Sequence, residues 1–176
     1  MIDMIERFIV RFGDERKENW LKFHLDHLPW MTKAKGSGSN HQAWVGGYYH
    51  HIRECMSIAR SMYNAFEQRQ LPFTLGSAMI VLYFHDIEKM WKYTYGLEED
   101  WDKMKFLEEL SGRYKFGLSV RERHAIYYIQ GEGDEYCKDK RVMGRLGAFV
   151  HSCDILSARL WHNWPPENER ELPTIL

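Results

Sequence analysis

Met79-Ile80-Val81-Leu82-Tyr83-Phe84-His85-Asp86-Ile87-Glu88-Lys89 is an apolar run that ends in an imidazole, two carboxylates and an ammonium. Leu82, His85, Asp86 and Lys89 recur at spacings of three and four, which predicts a helix carrying all four on one face. A histidine beside an aspartate is costly to bury at the end of such a run unless a cation stands between them.

The same periodicity extends outward in both directions. Downstream, helices are predicted from about Glu98 to Leu110, ending near Gly112, and from Ser119, whose Ser-x-x-Glu pattern with Glu122 is a capping box, to Gly131. A last long helix runs from about Arg141 to His162, closed by Pro165-Pro166, with Gly147 and Ala158 as small residues that admit a close neighbour. Upstream, a helix from about Gly47 to Gln68 stops before Leu71-Pro72, and Asp3 to Phe12 and Asp14 to Leu28 form two packing helices. Between them, Lys33 to Asn40 is a glycine and serine stretch that predicts a mobile loop. No alternating strand interrupts the pattern, so the expected fold is an all-α, single-domain helical bundle over residues 1–176. In it, 1–30 pack against a metal-binding core at 40–162.

Composition limits what this bundle does. A chain of 176 residues, 44% hydrophobic, supports one domain with a real core. The net charge of -1 gives no global pull toward nucleic acid or anionic membrane, and a small anionic substrate fits better. Three cysteines, without C-x-x-C spacing, predict reduced, buried thiols. The acidic start, Met1 to Arg7, and the short apolar runs predict a soluble cytoplasmic protein without a membrane span.

His51 upstream and Asp154 downstream complete a set with His85 and Asp86: two imidazoles and two carboxylates for one divalent ion such as Mn, Co, Ni, Fe, Zn or Mg. Nine histidines make a chance His-Asp pair unremarkable, and a lone histidine on an apolar face is usually a hydrogen-bonded core residue. On spacing alone both readings stand.

Three segments resemble the HD superfamily of metal-dependent phosphohydrolases. Gln42-Ala43-Trp44-Val45-Gly46-Gly47-Tyr48-Tyr49-His50-His51 is similar to the H-A-Y-x-G-G-L-L-x-H segment of a branch that includes exoribonuclease domains; His85-Asp86-Ile87-Glu88-Lys89 resembles H-D-I-G-K; Ala148 to Arg159 resembles the closing L-H-x-A-D-x-L-D-A segment. The wording around Glu88-Lys89 is also similar to small phage-encoded members. The resemblance implies an HD-type bundle and metal ligands at His51, His85, Asp86 and Asp154. The branches that hold two metals carry extra histidines where this chain has Ile129-Gln130, so a single ion is implied.

The implied activity is hydrolysis of a nucleotide phosphoester by an activated water, with a (deoxy)mononucleotide as first choice. A 3′-5′ exonuclease on single-stranded nucleic acid, a nucleotide phosphodiesterase and a non-catalytic metal-binding protein are the alternatives. Asp86 is expected to ligate and orient the water, and Lys89 to screen phosphate charge. Glu88, in place of the motif's glycine, serves as a base or sits in solvent. His41, Arg53, His124 and Arg159 are candidate substrate contacts, each also readable as an ordinary surface or packing residue. Trp44, Tyr48, Trp91 and Tyr93 suit base stacking, although core packing is the plainer role for most of them. Members of the family often pair, and the aromatic surplus suits a homo-oligomer interface.

Overall fold

Residues 3–66, 70–97 and 101–173 of the chain are described in the computed structural model. The helices are α1 (Met4–Phe12), α2 (Lys17–Met31), α3 (Gly47–Ala65), α4 (Leu75–Phe84), α5 (Lys89–Lys92), α6 (Lys103–Tyr114), α7 (Val120–Tyr128) and α8 (Arg145–Ile155). Among the described residues there is no strand, only an isolated bridge between Cys137 and Lys140. The fold is all-α.

α4 is the hub. Every residue from Ala78 to Phe84 is fully buried, so this helix has no polar face and must be surrounded; it packs against α1, α3, α7 and α8. Gly76 permits the closest approach, since a Cβ there would stand 2.4 Å from the Phe12 carbonyl oxygen at the end of α1. Trp20 and Phe23 of α2 meet Tyr83 and Phe84 edge-on or tilted at 5.3–6.4 Å, and Phe84 stacks on Phe116 at 4.4 Å. One hydrophobic cluster therefore includes the first two helices and α8 alike.

Side-chain caps fix the starts. Asp3 accepts from the Glu6 amide, Thr74 from Ser77, and Asp102 from Met104 and Lys105. The capping box of Ser119 and Glu122 is present, and Glu122 is also held by Arg16 at 2.8 and 3.1 Å, tying the α1–α2 connection to α7.

Several boundaries differ from the sequence expectation. α2 continues through Pro29 to Met31, where Met31 is fully buried and the Thr32 hydroxyl bonds the Leu28 carbonyl. α6 begins at Lys103 and passes through Gly112 to a left-handed Lys115; the expected start at Glu98 lies outside the described residues, as does the expected end of α3 at Gln68. α8 spans only Arg145–Ile155 and passes into a π-turn, Leu156–Leu160, instead of running from Arg141 to His162. The Lys33–Asn40 loop is pinned: Ser37 Oγ takes the Asn40 and His41 amides and donates to the His41 carbonyl, and the Gly36 amide donates to Gln42. Cys55 and Cys153 are buried free thiols, whereas Cys137 is exposed. Among the described residues no helix is long and apolar enough to cross a membrane.

Candidate metal centre

α4 ends at Phe84, and His85 to Glu88 form a turn before α5. The expectation of one continuous helix through Lys89 is thus corrected, while His85, Asp86 and Lys89 do meet on one side of the chain. The correction has a chemical consequence: adjacent helical residues diverge by about 100°, while the turn brings Asp86 Oδ2 to 3.3 Å from His85 Nε2.

His51, on the second turn of α3, and Asp154, near the end of α8, reach the same point. His51 Nε2 lies 3.3 Å from His85 Nε2, 3.1 Å from Asp154 Oδ1 and 3.7 Å from Asp86 Oδ2; His85 Nε2 is 3.5 Å from Asp154 Oδ1. These separations bracket the edge of a tetrahedron with bonds of about 2.1 Å, which is about 3.4 Å. His51, His85 and Asp154 form the tight triad, all donors within 4.8 Å of one another, a group to which Asp86 does not belong. Asp86 stands alongside, its Oδ2 2.5 Å from Lys89 Nζ.

The outer ring nitrogens settle which atoms face inward. His85 Nδ1 donates to the Leu82 carbonyl at 2.7 Å, which leaves Nε2 as a lone pair in the neutral ring. His51 Nδ1 meets Ser157 Oγ at 3.0 Å, and that hydroxyl donates to Glu54 Oε2 at 2.8 Å, so His51 Nδ1 is the donor and its Nε2 also turns inward bare. Gln42 Nε2 completes the support by donating to Glu54 and to the Trp161 carbonyl. Two imidazoles and two carboxylates, all but Asp154 essentially without exposure, thus converge, and the outer ring nitrogens are engaged so that Nε2 of each neutral ring offers a lone pair inward. That donor set fits a borderline divalent cation, and its buried second layer is of the kind that orients metal ligands.

Electrostatics agree. Burial pushes the His51 imidazole down to about 4, against its hydrogen bond to Asp154. Burial also opposes charge on His85, but Asp86 and Asp154 overcome it and lift the ring up to about 10. Both carboxyls are held below their ordinary range despite burial, Asp86 by the charges of His85 and Lys89, Asp154 by its hydrogen bonds to His51 and His85. Without a cation, the His85 proton fills that role.

The other sequence candidates divide. His41 is at the rim, its ring 4.7 Å from that of His51, with Nδ1 on Gln42 Oε1. Burial and the nearby Lys89 charge lower its pKa. Glu88 points elsewhere: its Oε2 is 3.7 Å from Lys103 Nζ, in a groove with Trp101 and Tyr127. Arg53 lines a separate groove with Trp161 and Trp164, His124 is exposed over Gly144, and Arg159 is exposed on the π-turn, so none of these three stands among the donors. Tyr48 is fully buried, Trp91 packs against His27, Trp30 and Phe106, and Trp44 lies under Arg170. Gln42, Glu54, Ser157 and Gln130, whose Nε2 is 3.5 Å from Asp86 Oδ1, were not anticipated. Glu54 follows His51, and Ser157 follows Asp154, by three residues, so the spacing applied to the ligands also reaches them. No family model matches the chain, and no curated protein or solved structure matches it.

Proposed function

We propose that the protein is a metal-dependent phosphohydrolase acting on a phosphoester or phosphoanhydride of a nucleotide. The observation that carries this reading is the convergence of His51, His85 and Asp154 with donor atoms 3.1–3.5 Å apart, and Asp86 Oδ2 alongside at 3.3 Å from His85 Nε2 and 3.7 Å from His51 Nε2. The motif resemblance of the three segments supports it independently.

Bound there, a divalent cation supplies Lewis-acid polarisation of a phosphoryl oxygen and makes water acidic enough to attack near neutral pH. The chain supplies the rest. Asp86, ionised and tethered through Gln130 and Lys89, accepts a hydrogen bond from the attacking water and keeps it in line. Lys89, buried against Asp86 with a small exposed remainder, places a positive charge where phosphoryl charge accumulates. His41 at the rim is positioned to touch the departing group.

A phosphate-release panel tests the reading: deoxynucleoside and ribonucleoside mono- and triphosphates and a short single-stranded oligonucleotide, each with Mn, Co, Ni or Mg, beside Asp86→Ala. The expected result is metal-dependent release that is lost in the variant. Silence on every substrate despite a bound ion contradicts hydrolysis.

A further inference from the structure

Immediately beside the centre, the chain from Gly131 to Met143 folds over a cavity of about 600 Å³ that the proposed chemistry does not use. Two of its walls are continuous with the metal site. His151 lines it and precedes Asp154 by three residues on α8, about one helical turn. Gly131 lines it and follows Gln130, which touches Asp86.

Cations outnumber carboxylates by three to two in the lining of this cavity. Lys138, Lys140 and Arg141 line it, and among the described residues none of them forms an ion pair. Its acids are fewer. Glu132 is occupied by the Met143 amide at 2.7 Å, and Glu135, nearby in sequence, is held by the hydroxyls of Tyr127 and Tyr128. Asp139 also lines it, and Asp134 lies in the same segment outside the lining. His151 spends Nδ1 on the Ile129 carbonyl, which leaves the opposite edge of its ring for the cavity.

We propose that this cavity is a second anion subsite, built for a phosphate group linked to the one that reacts. Resting on the hydrolase reading above, it makes the substrate one with at least two phosphates. Two linked phosphates come either from the tail of a nucleoside polyphosphate or from the neighbouring diester of an oligonucleotide; the chemistry recognised is the same. Three cations held on a loop against a buried metal centre favour such a ligand over a mononucleotide, whose single phosphate the centre and Lys89 already accommodate.

Calorimetric titration of the full chain with inorganic tripolyphosphate and orthophosphate tests this, on wild type, on the combined Lys138→Ala, Lys140→Ala and Arg141→Ala variant, and on Asp86→Ala. Tripolyphosphate is expected to bind at least tenfold more tightly than orthophosphate, about a hundredfold more weakly to the loop variant, and to Asp86→Ala still in a loop-dependent way. In the loop variant, KM is expected to rise at least tenfold for nucleoside triphosphates if their tail fills the cavity, or for the oligonucleotide if a diester does. Equal tripolyphosphate binding by wild type and the loop variant overturns the subsite, whatever is hydrolysed. Loop-dependent binding with no turnover of any substrate leaves the subsite standing and removes the hydrolase. The loop is exposed, so circular dichroism of the variant is expected to match wild type.

Discussion

Replacing Ser157 with alanine removes one hydroxyl that touches no metal, yet it should weaken metal binding. The Ser157 oxygen accepts from His51 Nδ1 at 3.0 Å and its proton goes to Glu54 at 2.8 Å, so it is the oxygen that fixes which His51 nitrogen carries hydrogen. In the variant the buried Nδ1–H keeps only the weak Cys55 sulfur acceptor at 3.8 Å, and the ring is freer to place its proton on Nε2, the atom that must bind. Loss of such a supporting partner costs roughly 10- to 100-fold in metal affinity, or about 1.4–2.7 kcal/mol. The stripped protein should lose about 1–3 kcal/mol of stability from the poorly satisfied donor. Glu54→Gln should fall between the variant and wild type, because an amide oxygen still receives the serine proton. Competition of zinc between the protein and a chromophoric chelator measures the constants, with thermal melts of the metal-free forms as control. An unchanged zinc constant in a normally folded Ser157→Ala protein would refute the relay.

Other parts of the fold make equally definite predictions. Arg16→Ala removes the counter-charge of the Glu122 carboxylate, whose side chain is 2% exposed and keeps only its Ser119 hydrogen bonds, and should cost about 3 kcal/mol by urea denaturation; a loss under about 1 kcal/mol would contradict the importance of that pair. Burial opposes ionisation of Asp3, but the hydrogen bond and charge of His24 hold its carboxyl below the usual value. Its contribution is therefore complete above the ordinary carboxylate range and is lost as pH falls through about 4 and below, so Asp3→Asn should flatten the acid limb of the stability curve. A Cβ on residue 47 would stand 1.8 Å from the Gln42 carbonyl oxygen, so Gly47→Ala should lower the melting temperature by more than ordinary overpacking of about 1–3 kcal/mol; a wild-type melt would show that the His41–Gly47 loop is not built as described.

The sequence was most legible where one physical rule dominates. The all-buried run before His85 reads directly as a central helix, and the Ser119 and Glu122 pattern reads as the cap that forms. It was least legible where the backbone leaves a helix. The turn at His85 to Glu88 and the π-turn after Ile155 follow no hydrophobic period, because they serve convergence on one point. Those departures aim Asp86 at the imidazoles and Ser157 at His51. The Lys33–Asn40 stretch misled for a different reason: its glycines and serines are flexible in isolation, but Ser37 satisfies the loop's own amides and fixes it. Arg53 and Arg159 were drawn in by sequence proximity to ligands, whereas at two and five residues' remove on a helix they turn to other faces.

Cation uptake by the metal-stripped chain, followed by calorimetry with cobalt and with a pH indicator present, tests the central claim most directly. With His85 lifted to about 10 by Asp86 and Asp154 against its burial, its ring carries a proton near pH 8 that the ion must displace. Saturation at about one ion per chain, with about one proton released and with affinity lost at least a hundredfold in His51→Ala and Asp154→Ala, is the predicted result. No uptake, or uptake undiminished in those two variants, would contradict a metal centre at this site.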